Sequence, residues 1–518
     1  MADSRSPSKI ATITLALTAA IAATCASSAD EPVVADATRL PADVAAKMPF
    51  DHRLLQLMND HFCQETPLFD VAIYDALPEA WSDADRRALP AATSARRLAI
   101  GRHYGLTPPP PGVQEFPLGL VPGTETGRPV VRANCLTCHS AELFGHPVVG
   151  LGNNRLDFEA LMDDVVTVSK ARKIALGPLA AFYVITKRHG ISFGATVGST
   201  APLTFAALFM AVRHPDLVRR QTPDALLKAV EGALAGPLAR RLGAETLVRS
   251  LVMFGMQDID QDAPSWWLTR ADDRIFCDSL VAKEGRATML FVAEPWAEAG
   301  VITSRLAAAE EFVAHLGQVT LPASYAEMFP ERVDPERAAA GRILFIQHCA
   351  ECHGTYSEDP VVDDYPGRII PVGEIGTDPR RARGIPPPFR EFLAQSWFAS
   401  PGTVRGGDEP PGYRAPYLRR VAFTFPYFHN GSVPTLHHVL FPGERPARWI
   451  VAPQYFDHVR IGQQVDPVPV TETTSADRIA RDVFDTSLPG KANGGHDRML
   501  DPLSPEDRTA ILEYLKTL

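Results

Sequence analysis

The pattern C-x-x-C-H occurs twice in this chain, at 135–139 (CLTCH) and at 349–353 (CAECH). This spacing is typical of covalent c-type haem attachment, in which two thiols bond one porphyrin and the adjacent His reaches the iron. A zinc site would need a second ligand pair at short range, and neither pattern has one. Because the chain has only 7 Cys in 518 residues, chance does not explain two such patterns. The sequence therefore predicts two covalently bound haems c, with attachment at Cys135, Cys138, Cys349 and Cys352 and proximal iron ligands His139 and His353.

The N-terminal residues have the pattern of an export signal. Arg5 and Lys9 precede an apolar run over 10–23, which is too short to span a bilayer comfortably, and small residues follow at 27–29. We expect a signal peptide over 1–29, no transmembrane segment after its removal, and a periplasmic or secreted protein. A lipid anchor at Cys25 is the alternative. Export agrees with the haem patterns, because bacteria attach c-type haem outside the cytoplasm.

Composition and charge narrow the class of protein. The length of 518 residues exceeds one ordinary domain, and 45% hydrophobic residues argue against disorder. The net charge is −10 and no Lys/Arg block is present, so we expect no nucleic-acid partner. Two further cysteines, Cys63 and Cys277, either pair in an oxidising compartment or remain buried thiols.

Helical patterns predict a mainly α fold with two cytochrome c-like haem domains, a long helical inter-haem region and loop-rich insertions. We predict helices over 91–104, 156–168, 222–251 and 336–346, and a last helix from Ser504. The proline run over 107–112 must be extended, and the segment before Cys135 is predicted as loop or short strand. A helix directly before the second pattern and a terminal helix are the plan of a small cytochrome c domain. The predicted units are the signal peptide 1–29, a helical segment with a Pro-rich strap 30–112, a first haem domain 113–325 and a second 326–518.

Two features of the inter-haem region allow both a structural and a functional interpretation. The apolar stretch over 174–212 either forms buried core helices or lines a substrate channel or a membrane-surface patch. Trp266 and Trp267 either pack in the core or lie beside a haem, where an indole lines the distal pocket or relays an electron.

Several stretches resemble the bacterial di-haem cytochrome c peroxidase superfamily. The main one is 415–436 (APYLRRVAFTFPYFHNGSVPTL). Its Asn430 and the Val-Pro pair after Ser432 are more similar to the di-haem rubber-oxygenase branch, as are 376–379 (GTDP), 490–496 (GKANGGH) and 512–518 (LEYLKTL). The resemblance covers roughly 115–160 and nearly all of 334–518.

The resemblance implies that the two haems differ. The first, with His139 as proximal ligand, would be the reactive one, with an open or oxygen-occupied far side. The second would have two His ligands, which map onto His353 and His496. Met499 is the rival to His496, because the peroxidase branch uses Met at one haem.

Other candidate residues follow less directly. Trp266 and Trp267 loosely match a tryptophan segment beside the reactive haem in that branch, and we take them as candidate catalytic residues. His146 is a candidate distal ligand of the first haem, with a loop or surface position as the alternative, and His429 is expected to orient a loop or a haem propionate. Calcium is a further candidate cofactor that the sequence does not locate.

Three functions agree with these features. The first is a haem-dependent oxygenase that uses O₂ to cleave or oxygenate an apolar unsaturated substrate. The second is a peroxidase that reduces H₂O₂ with electrons from a small periplasmic donor, which needs a distal acid–base group. The third is a non-catalytic electron carrier, although a carrier needs little beyond two small haem folds. The first is favoured by the branch resemblance and the apolar 174–212 stretch.

Overall fold

The computed structural model describes residues 48, 50–64, 67–176, 180, 183–184, 262–289, 299–385, 409–469 and 483–518, with scattered positions between 387 and 406. The predicted signal peptide, Cys25 and the helix predicted over 222–251 lie outside the described residues, as does nearly all of the apolar 174–212 stretch. These predictions are therefore not tested by the structure.

Short helices dominate the described helical content, and the longest ones have 14 residues. Four predicted helices are confirmed with small shifts in their ends, and the proline run at 107–112 is not helical, as predicted. Short 3₁₀ turns lie at Leu77–Ala80, Cys135–Thr137, Trp266–Thr269, Pro330–Arg332, Pro360–Val362, Val421–Phe423 and Pro442–Glu444. The α-helices are α1 His52–His61, α2 Val71–Ala76, α3 Asp83–Arg87, α4 Thr93–His103, α5 Phe158–Ala171, α6 Gly285–Thr288, α7 Ala299–Ser304, α8 Leu306–Leu316, α9 Tyr325–Met328, α10 Pro335–His348, α11 Ala350–His353, α12 Val372–Ile375, α13 Arg380–Arg383, α14 Leu436–Leu440, α15 Asp497–Leu500 and α16 Pro505–Leu515.

The prediction of a mainly α fold is wrong. Among the described residues 42% are helical and 15% are in strands, which form several small antiparallel sheets. The strands are β1 Phe69–Asp70, β2 Leu120–Glu125, β3 Arg128–Ala133, β4 Ser140–Leu143, β5 His146–Val149, β6 Arg274–Ile275, β7 Val281–Ala282, β8 Ile369–Pro371, β9 Gly412–Arg414, β10 Arg448–Asp457, β11 Gly462–Pro467 and β12 Phe484–Asp485. The sheets have the strand orders β1-β3-β2, β11-β10-β12, β4-β5, β6-β7 and β8-β9.

Strands surround the first C-x-x-C-H pattern, and this is the main reason for the error. Strand β3 pairs with β2 on one side and with β1 on the other, so Val130 and Val131 are fully buried. Of the two predictions for the segment before Cys135, loop or short strand, the strand is the one that the structure shows. Its sheet depends on pairing with Phe69, which is far away in sequence. Directly after the pattern, β4 and β5 form a hairpin.

The second C-x-x-C-H pattern is associated with two helices, α10 and α16, that each begin with a side-chain N-cap. Asp334 accepts hydrogen bonds from the backbone N–H groups of Glu336 and Arg337 at the start of α10, and a capping box at Ser504 opens α16. The two helices pack against each other so closely that a Cβ on Gly341 would lie 1.8 Å from the carbonyl oxygen of Ala510. This close crossing holds α10, whose last residue directly precedes Cys349, against the C-terminal helix.

One hydrophobic core joins parts of the chain that were predicted as separate units. It contains buried residues of α1, the β4–β5 hairpin, the Trp266–Trp267 segment, α10 and α16. A second core lies among α2, α4 and α5. The predicted domain boundaries stay predictions. Within the described ranges, no helix combines the length and the apolar character needed to cross a membrane.

Candidate functional site

The second C-x-x-C-H pattern lies where α10 ends. Cys349 follows the last residue of α10, and Cys352 and His353 lie in α11. The Nδ1 atom of His353 is 3.0 Å from the carbonyl oxygen of Pro416, and since a carbonyl only accepts, Nδ1 is the donor. This leaves the lone pair of Nε2 for a metal. Burial lowers the pKa of His353, so the ring is neutral at pH 7 and able to bind a metal.

His496 faces His353 across a gap of the size that one metal ion requires. The two ring centroids are 6.3 Å apart and the ring planes differ by 16°. Two metal–nitrogen bonds of about 2.0–2.1 Å, with ~1.1 Å from each nitrogen to its ring centroid, give a separation of ~6.3 Å. Burial also lowers the pKa of His496, to about 3. The spacing therefore fits one iron held between the two imidazoles.

A cavity of about 350 Å³ contains both of these imidazoles and is lined mainly by apolar side chains. Its volume is within the range of cofactor sites. Met499, the predicted rival ligand, lines the same cavity from α15. The structure thus brings His353, His496 and Met499 to the same cavity, and the separation of the two imidazoles fits a shared metal.

Polar groups on the cavity wall are suited to contact the propionate groups of a haem. The Nε2 atom of His429 and the Oγ1 atom of Thr377 are buried without a hydrogen-bond partner among the described residues, and both residues line the cavity. Burial, with the nearby Arg381, lowers the pKa of His429 to about 3. Behind this wall, Arg381 and Arg390 share the buried carboxylate of Asp278. An anionic propionate in the cavity would provide partners for these groups.

The first pattern is held by backbone hydrogen bonds and by a local cap. The side chain of Asn134 accepts a hydrogen bond from the N–H of Leu136, so the turn at Cys135 begins at a fixed point. The Nδ1 atom of His139 is 3.0 Å from the carbonyl oxygen of Pro264, which again leaves Nε2 for a metal. Burial lowers the pKa of His139 to about 4 and raises the pKa of the Cys135 and Cys138 thiols to about 12. These residues fit covalent haem attachment.

Trp266 contacts the imidazole of His139 rather than an open pocket. The two rings are stacked with centroids 5.0 Å apart, and the backbone N–H of Trp266 donates to Gly150. Trp267 is completely buried, and its Nε1 has no hydrogen-bond partner among the described residues. Trp266 thus packs against the imidazole of His139, Trp267 is part of the hydrophobic core, and the catalytic role of both stays a prediction.

The other predicted histidines and cysteines have separate neighbours. His146 starts strand β5, opposite Leu143 in the hairpin. Cys63 is near Asn134 and Cys277 is near Arg381, and the two cysteines are not joined by a disulfide. In the part of the chain that the structure describes, no cluster of three or more His, Cys, Asp or Glu could hold a metal ion, and calcium stays untested.

Sequence reasoning did not identify four residues that shape these sites. The carbonyls of Pro264 and Pro416 orient the proximal imidazoles. Because every residue has a carbonyl, the sequence does not show which carbonyl accepts the hydrogen bond of a given His. Phe428 stacks on His496 and Arg445 lies over Phe428. Pro416 and Phe428 both lie within the 415–436 stretch that carries the family resemblance, and this was the available signal for these two residues.

Comparison with known families agrees with a haem-binding protein. Residues 412–450, which include Pro416, Phe428 and Arg445, match a family model described as RoxA-like, cytochrome c-like. This match supports a relationship with RoxA-like cytochromes c and indicates a haem c-binding cytochrome of the oxidoreductase class. The number of haems, the assignment to the di-haem peroxidase superfamily and the assignment to one of its branches remain predictions.

Two curated relatives come from Sinorhizobium fredii, and both are named as uncharacterized proteins. The chain is 29% identical to y4iM over 233 residues, which are 38% of this chain and 51% of that protein. It is 33% identical to y4iJ over 244 residues, which are 36% of this chain and 39% of that protein. The chain thus spans at most about half of the length of either relative.

Proposed function

We propose that this protein is an exported di-haem c-type cytochrome that uses O₂ to oxidise an apolar unsaturated substrate. The first site, at His139, would be reactive, and the second, between His353 and His496, would store or deliver an electron. The observation that carries this proposal is the difference between the two sites: His353 has an imidazole facing it at 6.3 Å, whereas the ring stacked on His139 is the indole of Trp266. In the described ranges no second imidazole pairs with His139 in this way.

A haem held by His139 would supply O₂ or peroxide activation, and a haem held by His353 and His496 would supply electron transfer. The residues around each site would determine which haem activates oxygen and which transfers electrons. The hydrogen bonds from His139 to Pro264 and from His353 to Pro416 hold each proximal ring in one tautomer and raise its basicity as a ligand. Trp266 holds the plane of the His139 ring by stacking.

The segment 264–268 contacts both sites, and this supports electron exchange between them. The carbonyl of Pro264 accepts the hydrogen bond of His139, while Pro264, Ser265 and Leu268 line the cavity of the second site. Trp266 lies within the same segment and touches His139. An electron moving between the sites would therefore cross a few covalently linked residues of packed protein.

Carbon monoxide binding to the reduced protein tests the assignment of the two sites. We expect CO to bind one of the two haems in the wild type. His496→Ala should add the second haem to the CO-binding fraction and remove its low-spin spectrum, because the facing imidazole is lost. Met499→Ala is the matched control, because Met499 lines the same cavity. A spectrum changed by Met499→Ala and unaltered by His496→Ala would contradict the proposed ligand pair.

Oxygen uptake without an added electron donor tests the proposed reaction. We expect uptake with polyisoprene or an unsaturated lipid as substrate, and products that carry oxygen. Activity that appears only with H₂O₂ and a reduced cytochrome would overturn the oxygenase proposal in favour of a peroxidase. Redox cycling with neither activity would indicate an electron carrier.

A further inference from the structure

The guanidinium of Arg445 ties together two segments next to the second site. It donates from Nε to the carbonyl of His438 at 2.7 Å and from a terminal nitrogen to that of Val439 at 3.1 Å. Its terminal nitrogens also donate to the carbonyls of Asn493 at 2.7 Å and Gly495 at 2.9 Å. One side chain thus links the end of α14 to the segment directly before His496.

Arg445 also supports an aromatic ring that stacks on His496. Its guanidinium carbon is 5.1 Å from the centroid of the Phe428 ring. The Phe428 ring in turn is stacked on the His496 ring, with centroids 5.4 Å apart and planes that differ by 9°. Phe428 has φ of 67°, in the left-handed region that a bulky side chain rarely adopts. Surrounding contacts must therefore hold this residue in place.

The imidazole of His496 lacks the hydrogen bond that orients the other two candidate iron ligands. His139 and His353 each donate from Nδ1 to a proline carbonyl, but Nδ1 of His496 is buried with no partner among the described residues. A ligating His is normally oriented by such a bond. For His496 the orientation must instead come from its backbone and from the stacked ring of Phe428, and Arg445 contacts both supports.

The charge of Arg445 is buried close to the proposed iron position. Its side chain is only 4% exposed, and the carboxylate of Asp497, 3.8 Å away, is largely exposed. A buried cation that is only weakly neutralised favours the reduced, less positive form of a nearby metal.

We propose that Arg445 is the positioning residue of the second site: it holds Phe428 and the 493–495 backbone so that His496 faces His353, and its charge raises the reduction potential there. This inference rests on the proposed ligation of the second haem by His353 and His496.

Substitution of Arg445 in the full-length holoprotein tests this inference. Arg445→Gln should weaken the binding of His496 to the iron about 10–100-fold, the usual effect of losing an outer-shell partner. We expect loss of low-spin signal, a lower reduction potential for the second haem, and recovery of the low-spin spectrum with free imidazole. Arg445→Lys keeps the charge but cannot reach four carbonyls, so it should lose low-spin signal while the remaining low-spin fraction keeps a near-wild-type potential.

Two further variants separate this role from general stability. Arg420→Lys is the matched control, because Arg420 is also largely buried and donates to the carbonyls of Pro322 and Leu518; its spectrum and potential should match the wild type. Phe428→Leu should reduce the low-spin signal without any change in charge. The first haem's spectrum reports whether each variant has folded.

The outcomes distinguish this inference from the proposed function. If His496→Ala abolishes the low-spin signal and both Arg445→Gln and Phe428→Leu leave that signal and the potential unchanged, only the role of Arg445 is overturned. If His496→Ala itself changes nothing, the proposed ligation fails, and the role of Arg445 fails with it.

Discussion

The crossing of α10 and α16 at Gly341 predicts that even one added methyl group will disturb the second site. A Cβ at this position would lie 1.8 Å from the carbonyl oxygen of Ala510 and 2.4 Å from its carbonyl carbon. Real Cβ atoms essentially never come closer than 3.0 Å to such atoms, so the helices would have to move apart by about 1.2 Å (the difference between 3.0 and 1.8). Both atoms that block the methyl group belong to helix backbone, which cannot rotate away.

The energetic cost of Gly341→Ala follows from two opposing effects. Overpacking costs about 1–3 kcal/mol, and a clash with rigid backbone belongs near the upper end. The better helix propensity of Ala offsets about 1 kcal/mol of this. We expect a net loss of about 2 kcal/mol in the free energy of unfolding. Because α10 leads directly into Cys349, the spectrum of a haem bound at the second site should also be perturbed.

Denaturant unfolding, followed by circular dichroism and by haem absorbance, measures this loss. Gly373→Ala is the matched control, because Gly373 is also helical and a Cβ there would meet no atom within 4 Å. It should be neutral or slightly stabilising. If Gly341→Ala unfolds at the same denaturant concentration as Gly373→Ala, the inferred close packing of the two helices is wrong.

Two further predictions concern buried charges. Asp278→Asn should destabilise the protein by about 3–5 kcal/mol, because Arg381 and Arg390 lose the carboxylate they share. Thermal denaturation measures this loss of stability. Asp273→Asn is the control and should have little effect, because the Asp273 side chain is 92% exposed. Burial raises the pKa of Asp262 from 3.8 to about 7 in the folded protein, so its contribution to stability is complete below about pH 4 and is lost as the pH rises through 7. Asp262→Asn should therefore flatten the decline in stability between pH 4 and 7, and an unchanged decline would contradict a buried, protonated carboxyl.

The sequence alone determined the features that depend on neighbours in the chain. The prediction of haem attachment at the two C-x-x-C-H patterns rests on their spacing, and the family match supports haem c binding. The first residues of α10 and α16 can be predicted from Asp334 and Ser504, because an N-cap side chain accepts hydrogen bonds from backbone N–H groups two or three residues away.

Tertiary structure decided the features that join distant residues. The sheet around the first pattern needs Phe69 to pair with Val131, and such short strands carry little periodicity of their own. The acceptors of the proximal imidazoles are backbone carbonyls, 125 residues from His139 in one case and 63 residues from His353 in the other. Arg445 likewise acts on segments that lie about fifty residues further along the chain. The chemical type of a side chain can be read from the sequence. The partner of a backbone carbonyl or of a guanidinium depends on which distant residues the fold brings next to it.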